Sequence, residues 1–142
     1  MKIIILIFLF SIALSDAFSQ LIIGAGTSLA GKRIDDLYIN PSIAYRSGMN
    51  EYVITLDYYN DEYATASMYG IKFKRWFETK SYPLYLQAGI IKSYDKEVGV
   101  SLEVGVGKSF KYYSISPNIS YFYSNTFDKL NLGIGISFPF KL

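Results

Sequence analysis

Five charged residues, each within a stretch of mainly apolar and small residues, are the first candidates for chemistry in this chain: Arg46, Asp57, Lys72, Lys74 and Glu103. Enclosed carboxylates and amines need partners, and a chain of such pairs fills an interior, relays protons or gates ions. A connection centred near residues 63–64 would set Asp57 opposite Lys72 on neighbouring strands, within reach of an ion pair. Glu103 needs a Lys or Arg partner. We interpret these five as a structural network that fills an interior.

The residue types that most enzymes use are missing. The 142 residues include no histidine and no cysteine, which excludes Ser/His/Asp and Cys/His catalysis and the usual metal sites built on histidine. A serine with a lysine base is left, either Ser67 or Ser101 near Lys72, but serines are also expected as small polar filler. We therefore expect no catalytic residues, no metal and no cofactor.

The elements that position these charges are β-strands. Residues 98–107 and 130–140 alternate without a break between aliphatic or aromatic residues on one face and glycine, small or polar residues on the other. Side chains of a strand alternate between two faces, so each stretch has one apolar face. Bulk on one face and small residues on the other favour a narrow barrel whose apolar outside meets lipid.

Six further stretches show the same period of two, bounded by connections rich in charge, Gly, Asn or Ser. The eight predicted strands are residues 21–30, 37–46, 52–59, 68–77, 84–93, 98–107, 113–123 and 130–140. A tilted strand needs about 9 to 11 residues to cross the hydrocarbon, which most of these provide. The sequence thus predicts an all-β protein: an eight-stranded, antiparallel, up-and-down transmembrane β-barrel.

The N-terminal residues indicate the compartment in which the protein is located. Lys2, the apolar residues 3–13 and the small residues Ala17 and Ser19 predict a secretory signal peptide cleaved before Gln20. The apolar run is shorter than the roughly 20 residues that a membrane-spanning helix needs. We expect residues 1–19 to be removed and residues 20–142 to form one barrel domain. A membrane protein without helices has to close its sheet, because hydrocarbon leaves unpaired backbone groups unsatisfied.

Glycine predicts a filled interior. Nine of the 11 glycines fall on the inward face of a predicted strand, and Gly31 and Gly48 fall in turns. An eight-stranded barrel is barely wide enough inside for side chains, so small residues must offset large ones. The third to fifth strands carry large inward residues such as Trp76 and Tyr85. The lumen is therefore predicted to be plugged.

Aromatic residues gather near the strand ends on the outward face, where amphipathic rings prefer the level of lipid headgroups. The predicted girdle consists of Tyr45, Tyr52, Tyr58, Tyr69, Phe77, Tyr113, Tyr123, Phe138 and Phe140. Pro41 and Pro117 fall in the middle of strands, where each removes a hydrogen bond from the sheet, and bulges would absorb them.

On these features the chain resembles the small eight-stranded outer-membrane barrels of Gram-negative bacteria, of the OmpA and OmpX type. The resemblance spans the mature chain and rests on the signal peptide, the eight alternating segments and the aromatic final strand 130–140. Members often end in an aromatic residue, whereas this chain ends Phe140, Lys141, Leu142. The resemblance implies an outer-membrane location and insertion by the barrel assembly machinery.

We expect a monomer with a structural role or minor contacts at the cell surface. Its expected partners are outer-membrane lipids and lipopolysaccharide. A net charge of +2 without basic clusters gives no indication of a nucleic-acid-binding surface. Two alternatives stay open. A secreted, soluble lipocalin-like barrel would bind an apolar ligand, but its aliphatic faces would have to lie inside. A lipid-modifying barrel enzyme would need a base other than histidine.

Overall fold

The computed structural model describes residues 19–30, 37–60, 65–79, 82–93, 97–125 and 128–141. The predicted signal peptide, residues 1–19, lies outside the described residues except for Ser19. Residues 31–36, 61–64, 80–81, 94–96 and 126–127, all in connections between strands, and residue 142 lie outside them as well. Within the described residues, no helix is long and apolar enough to cross a membrane.

Eight strands follow one another along the chain, and the sixth resumes after a break at Gly107. They are β1 (Gln20–Ala30), β2 (Leu37–Ser47), β3 (Asn50–Asn60), β4 (Thr65–Phe77), β5 (Leu84–Ser93), β6 (Val98–Val106 and Lys108–Ser109), β7 (Ser114–Tyr123) and β8 (Asp128–Lys141). Each strand pairs antiparallel with the next, and β8 pairs with β1. The sheet is therefore a closed eight-stranded barrel, which confirms the predicted fold class.

The register of the strands is staggered around the barrel. Followed from Gln20, it runs through Arg46, Glu51, Lys74, Gln87, Glu103, Ser120 and Asn131 and returns to β1 at Ala30. A stagger of this kind tilts the strands by about 35–45° to the barrel axis. Residues that pair directly across neighbouring strands therefore form one row around the barrel, and nearly all members of this row are polar and point inward.

The two ends of the barrel differ in their connections. The chain enters β1 and leaves β8 at one end, together with the connections at residues 48–49, 78–83 and 110–113. We call this the turn end. The tightest of these connections contains Gly48 with φ of 57°, a conformation that glycine adopts without steric cost. The opposite end, which we call the loop end, carries the other four connections, residues 31–36, 61–64, 94–97 and 124–127.

Inward and outward residues alternate as predicted, with the aliphatic residues outside. Ile71 is 72% exposed, Ile54 65% and Leu132 64%, whereas the inward Asp57 and Tyr85 are 0% and 1% exposed. Transmembrane barrels have an apolar outer face of this kind. A soluble lipocalin-like barrel requires the opposite arrangement.

Pro41 and Pro117 are accommodated without bulges, so that prediction was wrong. Ile39 pairs with Tyr58 and Ser42 with Thr55 in a single register, and pairing between β2 and β3 is interrupted just at residues 40–41. Likewise, β6 pairs with β7 in one register on both sides of an interruption that faces Pro117. Each proline keeps its pairing on the other side, with Ala25 or Ile134. The missing N–H thus costs one local gap and shifts no side chain.

The two proline gaps divide the barrel into two walls of four strands. The charged wall, β3 to β6, carries Glu51, Asp57, Lys72, Lys74 and Glu103 on its inner face. The small-residue wall, made of β7, β8, β1 and β2, has glycine and serine across its middle: Gly24, Gly26, Ser42, Ser116, Gly133 and Gly135. Its large inner residues, Tyr38, Arg46 and Phe122, lie toward the strand ends.

Candidate functional site

The loop-end half of the lumen is built around a buried carboxylate. Asp57 accepts hydrogen bonds from the Tyr38 hydroxyl, from Thr55 Oγ1 at 2.5 Å and from Lys72 Nζ at 3.0 Å. Asp57 and Lys72 are 0% and 2% exposed. Because three donors and one opposite charge surround the carboxylate, its charge is compensated inside the barrel.

The expected ion pair is therefore present, but not by the expected register. Asp57 lies opposite Met68, and Lys72 lies opposite Val53. The connection after β3 is centred closer to the start of the chain than residues 63–64, so Lys72 reaches Asp57 along the barrel with its long side chain.

Apolar side chains close the lumen beside this ion pair. Tyr38, Met68, Ile91 and Phe122 form one buried cluster, and none of them is more than 5% exposed. The Tyr38 and Phe122 rings lie 5.2 Å apart, and Lys72 Nζ lies 5.4 Å from the centre of the Phe122 ring. We call these four residues the loop-end plug.

Near the turn end, Glu51 is the centre of a second network. Its carboxylate accepts a hydrogen bond from Trp76 Nε1 at 2.6 Å and lies 3.7 Å from both Arg46 Nη1 and Lys74 Nζ. Glu51 is 3% exposed. The predicted strands 37–46 and 52–59 leave Glu51 in a turn, which is wrong, because β3 begins at Asn50 and Glu51 is its first inward residue. Alternation from Val53 backwards could have identified it.

Glu103 has a different partner from the one predicted. Tyr85 donates a hydrogen bond to Glu103 Oε1 at 2.6 Å, and no Lys or Arg of the described chain pairs with this carboxylate. Lys74 Nζ lies 4.4 Å from the centre of the Tyr85 ring, and the Trp76 ring packs against Tyr85 at 4.9 Å. Glu51, Glu103, Arg46 and Lys74 thus form one cluster with two charges of each sign.

Glycines of β6 and its break make room for these large side chains. A Cβ on Gly105 would lie 2.5 Å from Tyr85 Cζ, and one on Gly107 would lie 2.5 Å from Trp76 Cζ3. Both distances are shorter than carbon atoms tolerate. The predicted compensation between glycine and bulk is therefore a direct contact, with each ring lying over the backbone of a glycine.

The remaining space is open toward the turn end. A cavity of about 60 Å³ lies between the two walls, among Asn40, Ser42, Asn118, Gln87 and Glu103. A water molecule needs about 10–15 Å³, so the cavity holds a few. A vestibule of about 750 Å³, lined by Arg46, Glu51 and Trp76, widens toward the turn end and shares Ser137 with the cavity. Among the described residues, the interior is thus a cup that widens toward the turn end and has the loop-end plug at its other end.

The aromatic residues predicted as a girdle lie on the outward face near the two ends. Tyr58, Tyr69 and Tyr123 are near the loop end, and the other six are near the turn end: Tyr45, Tyr52, Phe77, Tyr113, Phe138 and Phe140. Three further aromatic residues, Tyr82, Phe110 and Tyr112, lie in the turns and are 42–69% exposed, and the predicted girdle does not include them. Turn residues show no strand alternation, so the sequence carries no signal for these three.

The lysine needed for a Ser/Lys arrangement is engaged elsewhere. Lys72 Nζ donates a hydrogen bond to Asp57 and lies over the Phe122 ring. The amine that would serve as the base therefore already donates a hydrogen bond to a carboxylate at 3.0 Å. The geometry of the lumen suits charge compensation and filling rather than proton abstraction.

Comparison with known proteins gives a fold and no closer relationship. No family model and no curated protein matches the sequence. The N-terminal β-barrel domain of Pseudomonas aeruginosa OprF has a similar structure, with a TM-score of 0.70, 14% identity and 85% of this chain and 97% of that chain covered. Neisserial surface protein A matches with a TM-score of 0.62, 15% identity and 86% and 97% covered.

A de novo designed transmembrane β-barrel is also similar, with a TM-score of 0.68, 10% identity and 85% and 95% of the two chains covered. At such low identities, the likeness concerns the fold. The predicted resemblance to small outer-membrane barrels is confirmed at that level. Because the designed barrel has no natural ancestor, its similarity to this chain reflects the geometry of a transmembrane barrel and not common descent.

Proposed function

We propose that this protein is a monomeric outer-membrane barrel with a closed lumen, which has a structural role or makes minor contacts at the cell surface and neither catalyses a reaction nor holds a cofactor. The observation that carries the proposal is the loop-end plug together with the buried Asp57–Lys72 pair. An open channel needs a continuous polar path, and here apolar rings and a compensated ion pair occupy it.

The membrane part of the proposal is supported by the outer face. Aliphatic residues cover the middle of every strand, and aromatic residues concentrate toward both ends. This is the distribution expected of a barrel in a bilayer. Insertion would proceed after cleavage of residues 1–19 and with the help of the barrel assembly machinery, and the surrounding lipids would be phospholipid and lipopolysaccharide.

Membrane fractionation tests the location. We expect the protein in the outer-membrane fraction, released by detergent and with a gel mobility that changes on heating, as folded barrels resist unfolding in sodium dodecyl sulfate. Recovery from the soluble periplasm without detergent would overturn the proposal and favour a secreted barrel.

Conductance in planar bilayers tests the plug. The wild-type barrel should show no steady channel, and Phe122→Ala should increase open events because it removes the inward ring that covers Lys72. Tyr121→Ala is the matched control, since Tyr121 is the outward neighbour in the same strand and is 36% exposed. A large, steady conductance in the wild type would refute the closed lumen.

A further inference from the structure

An apolar groove crosses the outer surface at the proline gap between β6 and β7. Its volume is about 670 Å³, and its lining includes Leu84, Val106, Pro117, Ile119, Leu132 and Ile134, whose side chains all point outward. The groove spans five strands, from β5 to β8 and on to Thr27 in β1. It is a depression in a surface that is otherwise evenly covered with aliphatic side chains.

The proline gap explains why the depression is there. The registers on either side of the interruption would set Val106 opposite Pro117, but no pairing forms at this point. Gly107, the next residue, donates its N–H to Pro83 O at 2.8 Å, in the connection that leads into β5 on the other side. Pro117 also has a compact side chain between Ile115 and Ile119. The outer surface is therefore recessed at the point where β6 and β7 do not pair.

A cation stands at the turn end of this groove. Lys108 follows Val106 on the outward face of β6, and its Nζ lies 5.6 Å from the centre of the Phe110 ring and 6.0 Å from that of Tyr82. Phe110 stacks on Tyr113 with ring centres 4.8 Å apart. Lys108 is exposed, and within the described chain no carboxylate forms an ion pair with it. Its charge is therefore available to an external anion.

We propose that the groove and Lys108 together bind one membrane glycerophospholipid, with an acyl chain along Pro117 and the phosphate against Lys108. The match lies along the barrel axis: the apolar groove comes first, and Lys108 with the Phe110 and Tyr82 rings beside it comes next toward the turn end. In a phospholipid the acyl chain is likewise followed by the phosphate, at the headgroup level that aromatic side chains prefer. The proposal rests on the proposed membrane location, with the turn end in the periplasmic leaflet.

Native mass spectrometry of the detergent-extracted barrel tests the site, with dimyristoyl phosphatidylglycerol added in steps as the probe. The wild type should retain one lipid at concentrations at which further lipids do not bind. Lys108→Met should weaken this first binding by about fivefold, the loss expected for one surface lysine near an anionic headgroup. Lys92→Met is the matched control, because Lys92 is an outward lysine at the loop end. Equal binding by both variants would overturn the role of Lys108.

Filling the groove tests the acyl chain. Ile134→Trp places a large ring in the groove from a 44% exposed position, and Ile54→Trp places one at a 65% exposed position outside it. Pro117→Ile and Pro41→Ile make the same comparison at the two proline gaps. We expect loss of the first lipid in Ile134→Trp and Pro117→Ile and its retention in the two controls. Retention in all four variants would overturn the groove as the site.

The heat-dependent gel mobility of each variant separates this proposal from the proposed function. If the wild-type barrel is folded and membrane-bound but binds lipid no more tightly than the groove and Lys108 variants, the lipid site alone is refuted. A wild-type protein that never enters membranes refutes both.

Discussion

The charged wall and the small-residue wall solve the same packing problem in opposite ways. In the charged wall, the long side chains of Lys72 and Tyr85 lie over glycines of the same wall, and Lys72 and Lys74 pair with carboxylates of that wall. In the small-residue wall, a Cβ on Gly135 would meet no atom closer than 3.7 Å, and this glycine lines the cavity that faces Lys74 and Gln87 of the charged wall. A narrow barrel needs one wall to supply volume and the other to supply room.

The outsides of the two walls do not differ in this way. Both are covered with aliphatic side chains, and both proline gaps keep the outward register unchanged. The asymmetry is therefore an internal property. Substitutions on the outside should affect both walls alike, and substitutions inside should affect them differently.

The largest effect is expected for arginine on the outside of either wall. Val104→Arg in the charged wall and Ile134→Arg in the small-residue wall each place a charge against hydrocarbon, at a cost of about 2–4 kcal/mol near the midplane. We expect both to lower the yield of heat-modifiable barrel strongly and to a similar degree, with Val104→Leu as the control. A normal yield of either arginine variant would contradict the assignment of that face to lipid.

Breaking the buried pair of the charged wall should come next. Asp57→Leu leaves Lys72 buried without its carboxylate, which costs about 3–5 kcal/mol, whereas the double variant Asp57→Leu with Lys72→Met removes both charges and should recover most of the loss. Urea titration in phospholipid vesicles measures the free energy of unfolding. Ser116→Ala in the small-residue wall is the control. A double variant as unstable as the single one would mean that the pair is more than charge compensation.

Adding one methyl group to a glycine of each wall gives the sharpest comparison. Gly105→Ala drives a Cβ into the Tyr85 ring and should cost about 1–3 kcal/mol through overpacking. Gly135→Ala meets its nearest neighbour, the Ser116 carbonyl oxygen, at 3.7 Å and should be neutral or slightly stabilising. The same urea titration measures both. Equal losses at the two positions would remove the proposed difference between the walls.

The smallest effect is expected at the mouth of the cup. Arg46→Gln breaks a pair whose arginine side chain is 32% exposed and lies 3.7 Å from Glu51, so water compensates much of the loss and the change should stay below about 1 kcal/mol. The dependence of this loss of stability on salt concentration provides a second measure, because salt screens the attraction between exposed charges. A loss as large as that of Asp57→Leu would show that Arg46 is needed to hold Glu51 inside.

The strands could be predicted from the sequence because alternation between apolar and small residues is a local signal that a strand of either wall displays by itself. The same signal assigned inward and outward faces correctly, including Lys72, Lys74 and Trp76. It failed at Glu51, because a polar residue beside a turn looks the same whether it lies in the turn or on the inner face of the strand. The sequence also predicted the Asp57–Lys72 pair but not its register, and it did not identify Tyr85 as the partner of Glu103, because contacts across a lumen depend on the register of the closed sheet.

The sequence by itself thus determined the eight strands, their two faces and the absence of histidine and cysteine chemistry. Tertiary structure decided the rest. The stagger of the closed sheet brings Glu51, Lys74 and Glu103 into one row of the register, and it makes Lys72 reach Asp57 from a strand position opposite Val53. Both follow from barrel closure, which fixes the offset between all strands at once and so cannot be derived from any one of them.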